Sequence, residues 1–237
     1  MQTTVKRVII KLSGEALSSN DASIDSHAIT QILTDIAEVL KLGVEVAIVI
    51  GGGNILRGGR SCFGKKIERA TSDHMGMLAT MINALALQDI LNHSGIEAVA
   101  LSSYGIDGVI STASITKATS LLAKKKVVIF AGGTGNPFVT TDSAASLRAC
   151  EIKANALLKA TGVDGIYDKD PNQFNDAKRF DRLQFNQVLQ QQLAVMDLTA
   201  FIQCRDFNIP ICVFNMHNKQ ALIRVVTGQK EGTWVKG

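Results

Sequence analysis

The sequence VVIFAGGTGNPFVTTDSAA occupies residues 127–145 and contains the parts of a strand–loop–helix unit. Its first five residues are apolar, which predicts a short buried strand. Three glycines follow within four residues, and a glycine loop brings backbone N–H groups close to an anionic ligand. The hydroxylated residues Thr140 and Thr141 then precede a helical pattern, as expected at a helix N-terminus. The unit fits a phosphate-binding loop, and a plain tight turn between strand and helix fits it equally well.

Composition and charge restrict the class of protein. The chain has 237 residues, of which 46% are hydrophobic, enough for a sizeable α/β core. The net charge of +4 is too modest to indicate nucleic-acid binding. Four scattered cysteines and four dispersed histidines show neither disulfide nor zinc spacing, which is typical of a reduced intracellular protein. Charges interrupt the N-terminal apolar run, and no segment is long enough to span a membrane, so we expect a cytoplasmic protein.

Strand-like and helix-like patterns alternate along the chain. Short apolar runs predict strands at residues 5–12, 44–50, 96–101, 127–131, 156–160 and 211–214, with a candidate edge strand at 232–235. One-sided apolar patterns predict helices at 26–42, 73–92, 114–123, 143–153 and 219–226, with one or two more between 186 and 207. Asp73 is predicted as an N-cap, after a loop with some helix at 54–72. This alternation, without a linker, predicts an α/β fold: a mainly parallel sheet covered on both faces, in a single domain over 1–237.

Several predicted strands end in glycine or small hydroxylated residues. They are Ser13-Gly14, Gly51–Gly53, Gly132–Gly135 and Thr161-Gly162. In a parallel sheet these ends gather at one edge, where ligands of such folds bind. The combination indicates an extended anionic ligand pair, such as two nucleotides. The P-loop motif, a Gly-x-Gly-x-x-Gly after a strand, and the protein-kinase signature set are all missing from the sequence.

Three charged residues are predicted as the catalytic set: Lys11, Arg57 and Asp142. Lys11 lies two residues before Ser13-Gly14, where an ammonium is able to neutralise a transferring phosphoryl group. Arg57 follows the second glycine turn, and a guanidinium binds phosphate as a fork. Asp142 has three candidate roles: capping its helix, orienting Lys11, or holding magnesium through water. A solvated lysine and a surface arginine remain the alternative interpretations of the two basic residues.

No convincing general base is present among these candidates. A kinase that acts on a hydroxyl group would benefit from one. If the acceptor is itself a phosphate, its second pKa of about 6 makes it an ionised nucleophile at neutral pH. Positioning and charge neutralisation then make up the whole catalytic task.

Six segments, in order over nearly the whole chain, resemble the bacterial uridylate (UMP) kinase family of the amino-acid-kinase superfamily. They are KLSGEAL (11–17), VIGGGNILRG (49–58), DHMGMLAT (73–80), GGTGNPFVTTDSAA (132–145), LKATGVDGIYDKDP (158–171) and VMDLTAF (195–201). The resemblance implies phosphoryl transfer from ATP to UMP, giving ADP and UDP in pyrimidine nucleotide biosynthesis, with Mg²⁺ accompanying ATP. It also implies a three-layer α/β/α sandwich of the amino-acid-kinase fold, a homohexamer, and inhibition by UTP.

The resemblance also implies roles for individual residues. The implied ATP contacts are Lys11, Leu12, Ser13, Gly14, Gly53, Arg57, Thr161, Tyr167 and Asp170. The implied UMP contacts are Gly52, Asp73, Thr134, Gly135, Asn136, Pro137, Phe138, Val139, Thr140 and Thr141. Asp142 and Asp197 match acidic positions near the phosphates, and no residue is predicted as a direct metal ligand.

One segment departs from the family pattern. Relatives activated by GTP carry a glycine-rich segment after the first motif, whereas residues 18–26 here are SSNDASIDS. Activation by GTP is therefore left open. Two other functions also stay open: a kinase of the same fold that phosphorylates a carboxylate or carbamate, and a nucleotide-binding regulator that senses UTP without catalysis.

Overall fold

The computed structural model describes residues 3–56, 66–193 and 196–237. Eleven strands lie in these ranges: β1 Arg7–Leu12, β2 Glu45–Ile50, β3 Ala98–Ser102, β4 Ser111–Thr112, β5 Val127–Ala131, β6 Ala156–Thr161, β7 Ile166–Tyr167, β8 Arg179–Phe180, β9 Arg182–Gln184, β10 Ile211–Asn215 and β11 Thr233–Lys236. The α-helices are α1 Ser26–Lys41, α2 Arg69–His93, α3 Ile115–Ala123, α4 Thr141–Glu151, α5 Phe185–Gln190, α6 Leu198–Asp206 and α7 Ala221–Val226, and a 3₁₀ turn covers Gly14–Leu17. No helix in the described ranges is long and apolar enough to cross a membrane.

Nine of the strands form one sheet in the order β4-β3-β5-β2-β1-β6-β10-β11-β9. Every pair in it is parallel except β10 with β11. A separate antiparallel pair joins β7 to β8. The predicted mainly parallel sheet is confirmed, and it places β5, β2, β1 and β6 side by side at its centre.

The central strands are apolar because both of their faces are covered. All six residues of β2 and all five of β5 are buried. Successive side chains of a strand point to opposite faces, so Ile9 and Ile10 of β1 belong to different cores. One core contains residues of α1, α2 and α7, and the other contains residues of α3, α4, α5 and α6. The result is the predicted three-layer α/β/α sandwich.

Two predicted helix starts are wrong. Helix α2 begins at Arg69 with Glu68 as its N-cap, so Asp73 lies inside the helix. The polar segment 69–72 has the composition of a loop but contains no glycine or proline to stop a helix. Helix α4 begins at Thr141, and the Thr140 hydroxyl caps it by accepting from the Asp142 N–H at 3.1 Å. Asp142 is therefore not the N-cap of α4.

The predicted edge strand is also misplaced. β11 lies between β10 and β9, and the three-residue strand β9 forms the edge. The sequence pattern gave no strand at β4, β7, β8 or β9, each of which has only two or three residues. Runs this short have no measurable periodicity.

Replacement of Phe214 tests how strongly the sheet centre is packed. Phe214 on β10 is 1% exposed, whereas Phe207 after α6 is 63% exposed. We expect Phe214→Ala to lower the free energy of unfolding by about 3–5 kcal/mol because it removes a buried ring and leaves a cavity. Phe207→Ala is the matched control and should change it by no more than about 0.5 kcal/mol. Urea unfolding followed by circular dichroism measures both, and equal losses would contradict this account of the core.

Candidate active site

The glycine turns after β1, β2 and β5 and the Thr161-Gly162 turn after β6 lie side by side, because these four strands are parallel neighbours. The turns approach each other too closely for larger side chains. A Cβ atom on Gly14 would lie 2.7 Å from the backbone nitrogen of Gly53, and one on Gly52 would lie 2.8 Å from the carbonyl oxygen of Gly76 in α2. The predicted gathering of strand ends at one edge is confirmed.

A buried ion triad lies at the centre of this edge. Lys11 and Lys159 are directly paired residues of β1 and β6. The Lys11 Nζ lies 2.9 Å from Asp142 Oδ1 and forms an ion pair with it. The Lys159 Nζ donates to Asp142 Oδ2 at 2.7 Å. Of the three roles considered for Asp142, the geometry supports orientation of Lys11.

The environment shifts the pKa values within the triad. Burial raises the pKa of Asp142, but the charges of Lys11 and Lys159 together outweigh burial, and the pKa lies below its ordinary value of 3.8. Burial lowers the pKa of Lys159, and the charge of Asp142 offsets only part of that effect, so the pKa lies below 10.5. The carboxylate is therefore ionised at neutral pH and well suited to hold two lysines in place.

Lys159 was missed as a site residue by sequence reasoning, although a signal was present. Lys11-Leu12-Ser13-Gly14 and Lys159-Ala160-Thr161-Gly162 share one pattern: lysine, apolar residue, hydroxylated residue, glycine. Each lysine follows three apolar residues and stands at the same distance from its glycine. In a parallel sheet, two such strands in register bring their lysines together.

One cleft beside the triad has a volume of about 210 Å³. It brings together four of the predicted UMP contacts with Gly53 and several residues of α2. Its lining is Gly52, Gly53, Leu56, Ser72, Asp73, Gly76, Met77, Thr80, Gly133, Val139 and Thr141. The predicted contacts Thr134, Gly135, Asn136, Pro137, Phe138 and Thr140 do not line it, although they belong to the same loop between β5 and α4.

Asp73 connects this loop to α2. Its carboxylate accepts from Arg69 Nε at 2.8 and 3.0 Å and from the backbone N–H of Phe138 at 2.8 Å. Phe138 has a backbone φ of +68°, which L-residues rarely adopt. The start of the loop is held by Thr80, whose hydroxyl accepts from the Gly132 N–H at 2.7 Å. Asp73 therefore organises the loop as well as facing the cleft.

The two glycine turns beside this cleft have backbone N–H groups without a partner in the described part of the chain. Among the described residues, no acceptor pairs with the N–H groups of Gly52, Gly53, Gly133 and Thr134. Backbone N–H groups without a partner at a glycine turn suit an anionic or carbonyl-bearing ligand.

A second cleft, of about 580 Å³, lies on the other side of the triad. Lys159 lines it together with three predicted ATP contacts, Thr161, Tyr167 and Asp170. The predicted contacts Lys11, Ser13 and Gly14 do not line it, and the Leu12 side chain is buried in the core. Arg57 lies outside the described residues. The triad therefore stands between the two clefts, because Lys159 lines one and Thr141, next to Asp142, lines the other.

Asp197, at the start of α6, is hydrogen-bonded to the start of α4, where the loop after β5 ends. Its Oδ2 accepts hydrogen bonds from the hydroxyls of Thr140 and Ser143, both at the start of α4. Its charge also acts on Lys159. Asp197 thus fixes the end of α4 that carries Asp142.

A larger cavity, of about 710 Å³, is at the opposite edge of the sheet. It is lined by residues that precede strands, including Thr4, Asn155 and Pro210. No predicted site residue lines it. Because ligands of open parallel sheets bind at the carboxyl ends of the strands, the candidate active site is the region of the triad, although the clefts there are smaller.

Asp142→Asn tests the ion triad through the pH dependence of stability. The folded pKa of Asp142 is lowered below the unfolded value of about 3.9. The stabilisation is therefore complete above about pH 5 and is lost as the pH falls through the folded pKa. We expect the free energy of unfolding of wild type to exceed that of Asp142→Asn by about 3 kcal/mol at pH 7. The difference should be smaller at pH 3.

Urea unfolding between pH 3 and pH 7 measures this difference. Asp176→Asn, at the exposed ion pair with Lys169, is the matched control and should produce little change at any pH because water screens surface pairs. A difference for Asp142→Asn that stayed constant over the whole range would exclude the proposed ionisation.

Comparison with known proteins agrees with this architecture. The model of the amino acid kinase family matches residues 6–215. A uridylate kinase from Francisella tularensis subsp. holarctica is 56% identical over 98% of this chain and 93% of its own length. A uridylate kinase from Acinetobacter baylyi is 48% identical over 97% of this chain and 95% of its own length.

Solved structures give the same result. The crystal structure of UMP kinase from Bacillus anthracis superposes with a TM-score of 0.94 at 38% identity, covering 98% of this chain and 96% of that one. UMP kinase from Ureaplasma parvum gives a TM-score of 0.91 at 37% identity over the full length of both chains. The fold, the strand-end site and these similarities lead to one conclusion: the chain belongs to the amino acid kinase family, and within it to the uridylate kinases.

Proposed function

We propose that the chain transfers the γ-phosphoryl group of ATP to UMP, giving ADP and UDP in pyrimidine nucleotide biosynthesis. The observation that carries this proposal is the Lys11–Asp142–Lys159 triad between two clefts at the carboxyl ends of the strands. Relatives named uridylate kinase over nearly the whole chain support the choice of UMP as acceptor.

The triad supplies charge neutralisation rather than proton transfer. The phosphate of UMP has a second pKa of about 6 and is already an ionised nucleophile at neutral pH. Asp142 faces two lysines and has a lowered pKa, so it is a weak base. Its role is to hold the two ammonium groups where negative charge shifts between donor, transferring group and acceptor.

The two clefts divide the binding task. The smaller cleft takes UMP, with Asp73 accepting from the ribose and the loop 134–141 enclosing the nucleotide. The larger cleft takes ATP, with Thr161, Tyr167 and Asp170 as contacts and Ser13-Gly14 and Gly53 near the phosphates. We also assign Arg57 to the phosphates, although it lies outside the described residues.

Magnesium enters with ATP in this proposal. In the described ranges, no three histidine, cysteine or acidic side chains come together as a metal site. Mg²⁺ in kinases is held largely through substrate phosphates with one or two carboxylates, and Asp142, between the two clefts, is the carboxylate that we assign to it. When bound, the ion neutralises phosphate charge alongside the two lysines.

We further propose a cytoplasmic, single-domain protein that assembles as a homohexamer and is inhibited by UTP. Self-association has support from the outward face of α2. Leu78 and Ile82, one turn apart, are 52% and 51% exposed, and an exposed apolar helix face of this kind commonly marks an interface.

A nucleotide panel with a coupled ADP assay tests the proposed activity. We expect ADP formation from ATP with UMP, and at least tenfold less with CMP, AMP or GMP, because a site built to hydrogen-bond one base leaves polar groups unpaired with another. The assay is run with and without GTP, which also resolves the question raised by residues 18–26. ADP formation only with an acidic amino acid or carbamate would replace the proposal, and UTP binding without turnover would favour a regulator.

Lys11→Ala tests the role of the triad in catalysis. We expect kcat to fall at least about 100-fold because one of the two cations at the transferring group is lost, while Asp142 keeps Lys159 and the protein stays folded. Lys6→Ala, at the opposite end of β1 and exposed, is the matched control and should leave kcat unchanged. Near-normal turnover by Lys11→Ala would remove Lys11 from the mechanism.

A further inference from the structure

Arg148 on α4 is a buried arginine that the reaction does not directly require. It is 9% exposed, and its guanidinium carbon lies 5.4 Å from the centre of the Phe130 ring on β5. Its Nη1 donates to Glu151 at 2.6 Å and its Nη2 donates to the Ser103 hydroxyl at 2.9 Å. Its Nε has no acceptor among the described residues. Burying a guanidinium with an unused donor is costly, so the contacts that it does make need an explanation.

The contact with Ser103 continues into the glycine loop. The Ser103 hydroxyl accepts from Arg148 and donates to the carbonyl oxygen of Gly133 at 2.8 Å. A cationic donor polarises the hydroxyl and strengthens the bond that the hydroxyl itself donates. The buried charge of Arg148 therefore acts on the peptide bond between Gly133 and Thr134.

The orientation of that peptide bond determines where its N–H group points. In a trans peptide the C=O and N–H groups point in opposite directions. With the Gly133 carbonyl held by Ser103, the Thr134 N–H points away from Ser103. Gly133 has a φ of +57°, and a glycine can rotate into another region at little cost, so this orientation depends on the hydrogen bond.

Gly133 lines the smaller cleft, and the Thr134 N–H donates to no described residue. We propose that Arg148, acting through Ser103, is a positioning residue for the acceptor nucleotide: it holds the Gly133–Thr134 peptide so that the Thr134 N–H is available to an oxygen of the bound pyrimidine nucleotide. The inference rests on the proposed function and assigns the relay to acceptor binding, separate from the lysines that neutralise charge.

A purely structural role would give a different result. If Arg148 only packed α4 against β5, its loss would lower stability and affect both substrates alike. A positioning role affects the acceptor specifically. The two are separated by comparing KM for UMP with KM for ATP in folded variants.

Ser103→Ala is the direct test, because it removes one hydroxyl from a half-buried position and keeps Arg148. We expect KM for UMP to rise about tenfold, as for the loss of one good hydrogen bond, with kcat and KM for ATP within twofold of wild type. Ser103→Thr keeps a hydroxyl and should restore most of the affinity for UMP. Arg148→Met should raise KM for UMP similarly, and Ser103→Ala with Arg148→Met should be no worse than either alone, because both cut the same relay.

Ser146→Ala is the matched control. Ser146 is a buried serine on α4, the helix that carries Arg148. Its hydroxyl is hydrogen-bonded to Ser143 and Gln203 instead of to the glycine loop. It should lower the melting temperature as Ser103→Ala does, without a selective change in KM for UMP. An unchanged KM for UMP in Ser103→Ala, an equal rise for UMP and ATP, or the same rise in Ser146→Ala would each overturn the relay.

Calorimetric titration of UMP into the same variants separates this inference from the proposed activity. A wild-type chain that binds UMP but forms no UDP would overturn the activity alone, because the titration still compares Ser103→Ala with wild type. A wild-type chain that binds no UMP would overturn both. Normal turnover in wild type together with normal UMP affinity in Ser103→Ala would overturn the relay alone.

Discussion

The carboxylate of Asp142, held between the ammonium groups of Lys11 and Lys159, is the interaction on which the site depends. Each charge alone would be too costly to bury at the centre of a sheet. Together they are tolerated, and they tie two adjacent strands to the first turn of α4. The interaction thus fixes helix α4, which begins where the loop after β5 ends. It also keeps two cations between the clefts, where the proposed phosphoryl transfer requires them.

The residues around the triad follow from this constraint. Glycines stand where the strand ends come close to one another and to α2, and the loop after β5 is anchored at both of its ends. Thr80 holds Gly132 at the start, and Asp197 holds Thr140 and Ser143 at the end. The loop is therefore preorganised without being covered, as an acceptor site must be if a nucleotide is to enter and leave.

The fold could be predicted from the sequence because its strands are strongly marked. β2 is apolar after Glu45, β5 is apolar throughout, and glycine follows each of them. The alternation with helices and the common edge were therefore both recognisable. The start of α2 was not recognisable, because residues 69–72 are compatible with a loop and with a helix alike. Only tertiary contacts determine which of the two forms. β9 was not predicted for a different reason. A strand of three residues shows no measurable periodicity, and its pairing with β11 depends on residues far away in sequence.

In the site, the glycines were recognisable by their position after strands, Lys11 by its place near the end of β1, and Asp142 by its place at the start of a helix. Lys159 shares a sequence pattern with Lys11, but placing the two lysines side by side required the pairing of β1 with β6, which a single sequence does not contain. The dual role of Asp73 was hidden because its contact with Phe138 spans 65 residues.

The contact between Asp73 and Phe138 gives Asp73 a thermodynamic significance. Phe138 occupies a left-handed backbone conformation that costs about 1 kcal/mol or more, and one carboxylate oxygen helps to hold it there. In the proposed complex with UMP, a ribose hydroxyl competes for the same carboxylate and changes the balance that keeps the loop in this conformation. Loop conformation and acceptor occupancy are then linked variables, and each shifts the other by the same free energy.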